Sequence, residues 1–171
     1  LATLSTEWHD GVLAATARLA EAGTPWVLDL TTLGSLPPDR ARMDALLAHR
    51  PTVVRVDSPE VGGFSAAAVD AAVVWGEGAD RVTYGQREVE VPRGSAMLAQ
   101  IPGVRSAVSA LIGACAVMST PLEASLAGAA WLALASERAE EHARGPASFR
   151  TALIDSLWTV RGDEIAEYLK V

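Results

Sequence analysis

The stretch IPGVRSAVSALIGACAV, residues 101–117, carries the residue types in this sequence best suited to chemistry. A proline and a glycine run straight into an apolar helical pattern. A helix start presents unpaired N–H groups and the positive end of the helix dipole, so a glycine-containing turn placed there can hold a phosphate. The same turn carries Arg105 and Ser106. Arg105 either binds an anion itself or fills the space an anion would take and pairs with an acid. Proline at the first helical position is also common in helices that bind nothing, so a phosphate site and a plain helix start both stay open. Two carboxylates, Asp29 and Glu60, and one arginine, Arg55, stand at or just after the ends of apolar runs. Asp29 reads as a functional acid or as a turn or cap residue, and Glu60 as a functional acid or a solvated carboxylate. Arg55 closes a buried run and needs a partner, either a phosphate or one of these acids.

The elements that must position these residues alternate. Thr6 to Ala22 reads as a helix, with Ser5 or Thr6 as N-cap, Trp8, Val12, Ala15, Leu19 and Ala22 on one face, and Gly23 as its stop. PWVLDL (25–30) sets four apolar residues between a proline and a polar turn, without amphipathic alternation, and predicts a buried strand. A helix from about Pro38 to His49 leads to a second buried strand, TVVRV (52–56). This αβαβ order predicts a parallel sheet covered by helices. Ligands of such sheets gather at the carboxyl ends of the strands, which puts Asp29 and the Arg55–Glu60 turn on the functional edge. After SPEVGGF come a short Ala-rich helix and a strand, Ala72 to Trp75, closed by Gly76. DRVTYGQREVEV (80–91) predicts a hairpin in which Gly85 and Gln86 form a two-residue type II′ turn. The remainder reads as helices from Pro102 to Met118, Leu122 to Glu140, Ala147 to Val160 and Asp163 to Leu169. No repeat, low-complexity tract or flexible linker divides the chain, so residues 1–171 are expected to form one domain.

Composition excludes several function classes. With 171 residues, 50% hydrophobic and 20% charged, the chain can bury a sizeable core. A net charge of −7 and 14 scattered Lys and Arg argue against nucleic acid as a partner, because phosphate backbones are bound by clustered cations. The single cysteine, Cys115, lies in an apolar helical pattern. It allows no disulfide framework or cysteine-rich metal site, reads as a packed small residue, and points to a reducing cytoplasm. The apolar runs are too short and too interrupted to span a bilayer, and no signal-peptide pattern is present. His9, His49 and His142 lie far apart with no HxxxH or HExxH spacing, so no histidine metal site is expected. Trp8, Trp26, Trp75, Trp131 and Trp158 read mostly as core, and ERAEEHAR (137–144) as a solvated helical end with i, i+4 charge pairs.

The order of the pieces is similar to that of the hydroxyethylthiazole kinases, ribokinase-like enzymes of thiamine salvage. PWVLDLTTLGS, VVRVDSPE, VVWGEGADRVTYG, RGSAMLAQ, IPGVRSAVSALIGA and RGPASFRTALIDSLW stand where that family has, in turn, D-P-V-G-x-G, I-R-G-N-x-x-E, V-T-G with a hairpin, G-H-x-x-L, V-T-G-T-G-C and G-P-G-S-F. Order and most spacings agree from Leu1 to about Asp163. The resemblance implies an α/β, ribokinase-like fold with a mostly parallel sheet covered by helices and a helix-rich C-terminal half. It implies transfer of the ATP γ-phosphoryl, with Mg²⁺, to the hydroxyl of 4-methyl-5-(2-hydroxyethyl)thiazole, in a cytoplasmic homotrimer with active sites between subunits. Asp29 and Glu60 match the acids near Mg²⁺, and two strand-end carboxylates suit an outer-sphere site because Mg²⁺ prefers oxygen and retains waters. Arg55 matches the arginine that contacts ATP, Trp75 and Gly76 fall on the nucleotide turn V-T-G, and Gly103 on the first glycine beside the substrate.

The departures from the family pattern carry as much information. Trp75 replaces the threonine of V-T-G, removing a hydroxyl and setting a large ring where a phosphate or ribose would lie. Pro102 and Val104 replace the two threonines of V-T-G-T-G-C, Arg105 replaces its second glycine, and Ser106 stands at the catalytic cysteine. A Cβ at that second glycine costs room or strain where the backbone approaches the transferring phosphoryl. A thiol titrates at about 8.5 and is lowered by a helix N-terminus, whereas a serine hydroxyl needs its own base, so Ser106 is a poor general base. General-base help is worth about 10²- to 10⁴-fold, and one anion-hole donor about 10²- to 10³-fold. Together the changes predict activity reduced or lost; the alternative is a pseudokinase or small-ligand-binding trimer that keeps only the fold. DLTTLGS in place of D-P-V-G-x-G-A and the short stretch between Glu60 and Val73 point the same way. The chain starts at Leu1, and the resemblance implies a further N-terminal portion in family members.

Overall fold

The structure, a computed structural model, describes residues 6–31, 40–56, 70–75 and 80–170. Strands β1 (Val27–Asp29), β2 (Val53–Val56) and β3 (Ala72–Trp75) pair in parallel, with Asp29 opposite Arg55 and Val56 opposite Trp75. Strands β4 (Arg81–Tyr84) and β5 (Arg87–Glu90) continue the sheet antiparallel, in the order β1-β2-β3-β4-β5. The sheet is therefore mixed: a parallel half with both faces covered, then the expected hairpin. Every residue of β2 is buried, which is why its sequence shows no alternation. In the hairpin turn Gly85 has φ of 59° and Gln86 has no positive φ, which is the type II′ geometry.

Among the described residues six α-helices pack around the sheet: α1 (Thr6–Ala22), α2 (Arg40–Ala48), α3 (Val104–Ala116), α4 (Pro121–His142), α5 (Pro146–Thr159) and α6 (Gly162–Leu169). Because strand side chains alternate, the core divides in two. Val53, Val74 and Val82 point to the layer of α3 to α6 and pack with Val108, Ile112, Ala129 and Phe149. Leu28, Val54, Val56 and Val73 point the other way and pack with Met43 and Leu46 of α2 and with the Val12, Leu13 and Leu19 face of α1. Thr16 Oγ1 and His49 Nδ1, 2.8 Å apart, join α1 to the end of α2.

Helix α4 lies at the centre of the larger layer and is buried along Leu122, Ala124, Gly128, Ala129, Leu132, Ala135 and Ala139. Its small residues let α3 come close: a Cβ on Gly128 would stand 2.6 Å from Cγ1 and from the backbone nitrogen of Ile112. Thr120 and Glu123 form a capping box at its start, with Pro121 at the first helical position. Trp131 Nε1 donates to the carbonyl of Leu157 at 3.1 Å, tying α4 to α5.

Several details differ from the sequence expectations. The strand within PWVLDL is confined to Val27–Asp29. Helix α3 begins at Val104 behind Gly103, which caps it at φ of 81°, so Pro102 precedes the cap and does not hold the first helical position. A left-handed cap needs glycine where a first-turn proline does not, and that conformation sets the boundary. Trp158 is 89% exposed and belongs to no core. Glu137 and Arg138, within the run expected to be solvated, reach α6: Arg138 Nη2 pairs with Glu164 at 2.5 Å, and Tyr168 Oη donates to Glu137 at 2.6 Å. The Ala-rich helix expected after SPEVGGF, the Ser5 cap and the side chain of Trp8 lie outside the described residues.

Candidate functional site at the carboxyl edge of the sheet

Helix α3 and strand β1 define the site by the way they pass each other. A Cβ on Gly113 would lie 3.8 Å from Cγ2 of Val27, the first residue of β1, whereas Ser109 Oγ donates to Oδ2 of Asp29, its last residue, at 2.6 Å. Four helical residues rise about 6 Å, and two strand residues span about 6.6 Å, so the two elements run antiparallel in near register. Three residues earlier, Ser106 lies about 4.5 Å farther along the helix axis, and Gly103 about 9 Å farther. The start of α3 thus projects past the carboxyl end of β1. This is the edge where parallel sheets of α/β proteins bind ligands.

Beneath that helix start lies a polar cluster. Asp29 Oδ1 accepts the backbone N–H of Thr31 at 2.9 Å and its hydroxyl at 2.6 Å, an Asx turn that ends β1. Asp29 Oδ2 accepts the Ser109 hydroxyl and faces Arg55 Nη1 at 3.6 Å. Arg55 is only 4% exposed, and its Nη1 also lies 3.5 Å from Ser109 Oγ. The parallel register that sets Asp29 beside Arg55 makes this meeting local to two adjacent strands. Burial pushes the Asp29 carboxyl upward, but the hydrogen bonds from Ser109 and Thr31 and the charge of Arg55 outweigh it, and the carboxyl titrates below the usual aspartate range.

The sequence-derived candidates divide accordingly. Asp29 and Arg55 come together as an ion pair, and of the partners open to Arg55 the structure supplies an acid. Gly103 and Ser106 are both exposed at the start of α3. Arg105 lies in the first turn of α3, and its side chain lies outside the described ones. Trp75 ends β3 half-buried, with the Arg81 guanidinium 5.2 Å above its ring; the antiparallel register places the two opposite each other. Glu60 and Gly76 lie outside the described residues. Cys115 is half-buried with its thiol pushed up by burial. Among the described residues no group of three or more His, Cys, Asp or Glu could hold a metal ion, and no helix is long and apolar enough to cross a membrane.

Sequence reasoning left out Ser109 and Thr31. Two signals were available: the D-L-T spacing of an Asx turn at residues 29–31, and the position of Ser109 one turn after Ser106 on a helix that is otherwise apolar beyond its first turn.

The Mg²⁺ expectation can be set against the donors present. An ionised carboxylate has about four acceptor positions; hydrogen bonds from Thr31 and Ser109 fill three of those of Asp29, and Arg55 stands 3.6 Å from its Oδ2. That leaves little room for a direct metal bond, and the charge of Asp29 fits a role toward Mg²⁺ through intervening water.

Comparison with known proteins agrees with the resemblance seen in the sequence. The model of the hydroxyethylthiazole kinase family matches residues 61–163. A hydroxyethylthiazole kinase of Gemmatimonas aurantiaca is 34% identical over 96% of this chain and 69% of its own length. One from Cereibacter sphaeroides is 32% identical over 96% of this chain and 72% of its own. Among solved structures, the hydroxyethylthiazole kinase protein of Pyrococcus horikoshii superposes with a TM-score of 0.87 at 24% identity, over 96% of this chain and 71% of that chain. The ribokinase-like α/β fold expected from the sequence therefore holds.

Proposed function

The chain belongs to the hydroxyethylthiazole kinase family, and on that premise we propose that it is a phosphotransferase of thiazole salvage whose turnover is reduced or lost. The observation that carries this reading is the projection of the α3 start past the carboxyl end of β1, directly above the Asp29–Arg55 cluster. The substrates on this reading are ATP and 4-methyl-5-(2-hydroxyethyl)thiazole. Gly103 lies beside the thiazole alcohol, Ser106 occupies the position of the base, and Arg105 stands at the phosphoryl path. Arg55, Trp75 and Gly76 border the nucleotide, while Asp29 and Glu60 supply negative charge toward Mg²⁺. When bound, Mg²⁺ neutralises charge on the phosphates. Every protein contribution is positioning or electrostatics, which supply most of the acceleration in phosphoryl transfer.

Reduced turnover has specific support. The Ser106 N–H donates to the Gly103 carbonyl at 3.1 Å and the Val104 N–H to the Ile101 carbonyl at 3.4 Å, so two amides at the helix start are turned toward the chain itself. The Ser106 hydroxyl makes no hydrogen bond to a described side chain that could act as its base. These two facts favour the second reading, a pseudokinase or small-ligand-binding protein that keeps only the fold. For assembly we propose a cytoplasmic homotrimer; Val117, Met118, Ile154 and Trp158, between 59% and 91% exposed, offer apolar surface for subunit contacts.

Phosphorus NMR of the protein with Mg²⁺, ATP and the thiazole alcohol tests the proposal. A new phosphomonoester signal above a protein-free control removes the pseudokinase reading. Intact ATP after a long incubation removes the kinase reading. In the active case, Arg105→Gly with Ser106→Cys is expected to raise turnover by about 10²-fold or more, from the worth of a general base and an anion-hole donor.

A further inference from the structure

We infer that Ser109 is the positioning residue of this site: its hydroxyl sets where the first turns of α3 stand relative to the carboxyl ends of β1 and β2, and so where Gly103 and Ser106 are presented. Four observations support the inference. Ser109 Oγ donates to Asp29 Oδ2 at 2.6 Å, the short distance of a charge-assisted bond. The same oxygen faces Arg55 Nη1 at 3.5 Å, a long contact from the adjacent strand. A hydroxyl can do both because it carries one donor and two acceptor sites. Asp29 is itself immobilised by Thr31 from the other side, so the anchor that Ser109 grips does not turn with it. Finally, farther along the same interface α3 faces Val27 with Gly113, where even an added Cβ would stop 3.8 Å from Cγ2 of Val27, so this neighbour supplies only apolar surface.

The physical consequence is axial. A hydrogen bond weakens steeply with misalignment, whereas apolar contact is non-directional. Within this interface Ser109 is therefore the group that resists sliding and rotation of α3 on the sheet. Ser106 is one turn away on the same rigid helix, so a displacement at residue 109 is transmitted to it undiminished. Ser109 touches Asp29 and Arg55, and acts on the reacting groups only through them and through the helix. The inference rests on the phosphoryl-transfer reading only for its effect on turnover; the geometry stands without it.

The test uses Ser109→Ala, Ser109→Thr and, should Ala fail to fold, Ser109→Cys, which keeps the volume with a much weaker donor. Two readouts are taken on each full chain: the backbone amide resonances of Gly103 to Ser106, and the kcat and KM of thiazole phosphorylation. Ser109→Ala is expected to shift the Gly103–Ser106 amides and to lower kcat about 10-fold or more with KM for the thiazole changed less than about 3-fold, since the loss is one of positioning. Ser109→Thr, which retains the hydroxyl, is expected to restore both. Unmoved amides in Ser109→Ala, or a Thr variant that behaves as Ala does, overturn the inference. A wild-type chain that makes no thiazole phosphate overturns the kinase reading, while the amide shifts still decide the role of Ser109.

Discussion

Helix α3 is held on two sides by different means. Against α4 its Ile112 lies over Gly128, so close that a Cβ there would meet the Ile112 backbone at 2.6 Å. Against β1 and β2 its Ser109 meets Asp29 and Arg55 through a 2.6 Å hydrogen bond and a longer contact. The first contact involves no polar side-chain atom and works by shape. The second works by direction and charge. Close packing of small residues decides how near two helices lie, while a short hydrogen bond decides where along its length one of them stops. We expect the first side to carry more of the stability, and the second the presentation of the α3 start.

The largest effect is expected from breaking the packed side. Gly128→Ala places its methyl group against Ile112 backbone as well as side chain, and backbone cannot rotate away. Overpacking of this kind costs about 3 kcal/mol, which in a chain of this size lowers the thermal midpoint by roughly 6–12 °C. A calorimetric midpoint within roughly 2 °C of wild type would mean that the helices separate freely and that shape does not hold α3. Breaking the polar side is expected to cost less. Asp29→Ala removes the acceptor of Thr31 and Ser109 and the ion-pair partner of Arg55, a loss of about 2 kcal/mol in urea unfolding. A cost larger than that of Gly128→Ala would reverse the comparison and make the polar cluster the principal support of α3.

Much of this architecture was legible in the sequence, for reasons that also explain what was not. Apolar runs without alternation give the parallel strands, and the type II′ turn is written in Gly85 and Gln86, because one residue pair fixes it. Motif order carries the fold, since it samples the chain from PWVLDL to GPASF. Asp29 and Arg55 could be singled out as strand-end charges, but their pairing depends on the register of β1 with β2, which no local pattern encodes. Ser109 could be noticed as a second serine one turn after Ser106, but its partner could not: only the packing of α3 across β1 makes its hydroxyl face an acid. Trp158 misled because size and helical spacing favour burial, yet its side chain on α5 is 89% exposed. The left-handed cap at Gly103 shows the same limit at one residue, since Pro-Gly before a helix fits either of two starting points.

The smallest effect sharpens the comparison, because it concerns where α4 begins and hence how Gly128 meets Ile112. Thr120 Oγ1 accepts the Glu123 N–H at 3.4 Å, and Glu123 Oε2 accepts the Thr120 N–H at 3.0 Å and its hydroxyl at 2.8 Å. Thr120→Ala is expected to cost about 1 kcal/mol, the usual loss of a side-chain cap. The backbone N–H and then the hydroxyl of Thr120 hold the Glu123 carboxyl below the usual glutamate range. A carboxyl lowered in the folded chain stabilises it above its unfolded value, about 4.3, and that stabilisation is lost as pH falls through the lower folded value. Glu123→Gln should therefore leave unfolding less sensitive to acid than in wild type as pH falls below the unfolded glutamate value. An acid limb identical in the two chains would show that Glu123 is not engaged by Thr120, and that apolar packing alone sets the register of α4 on α3.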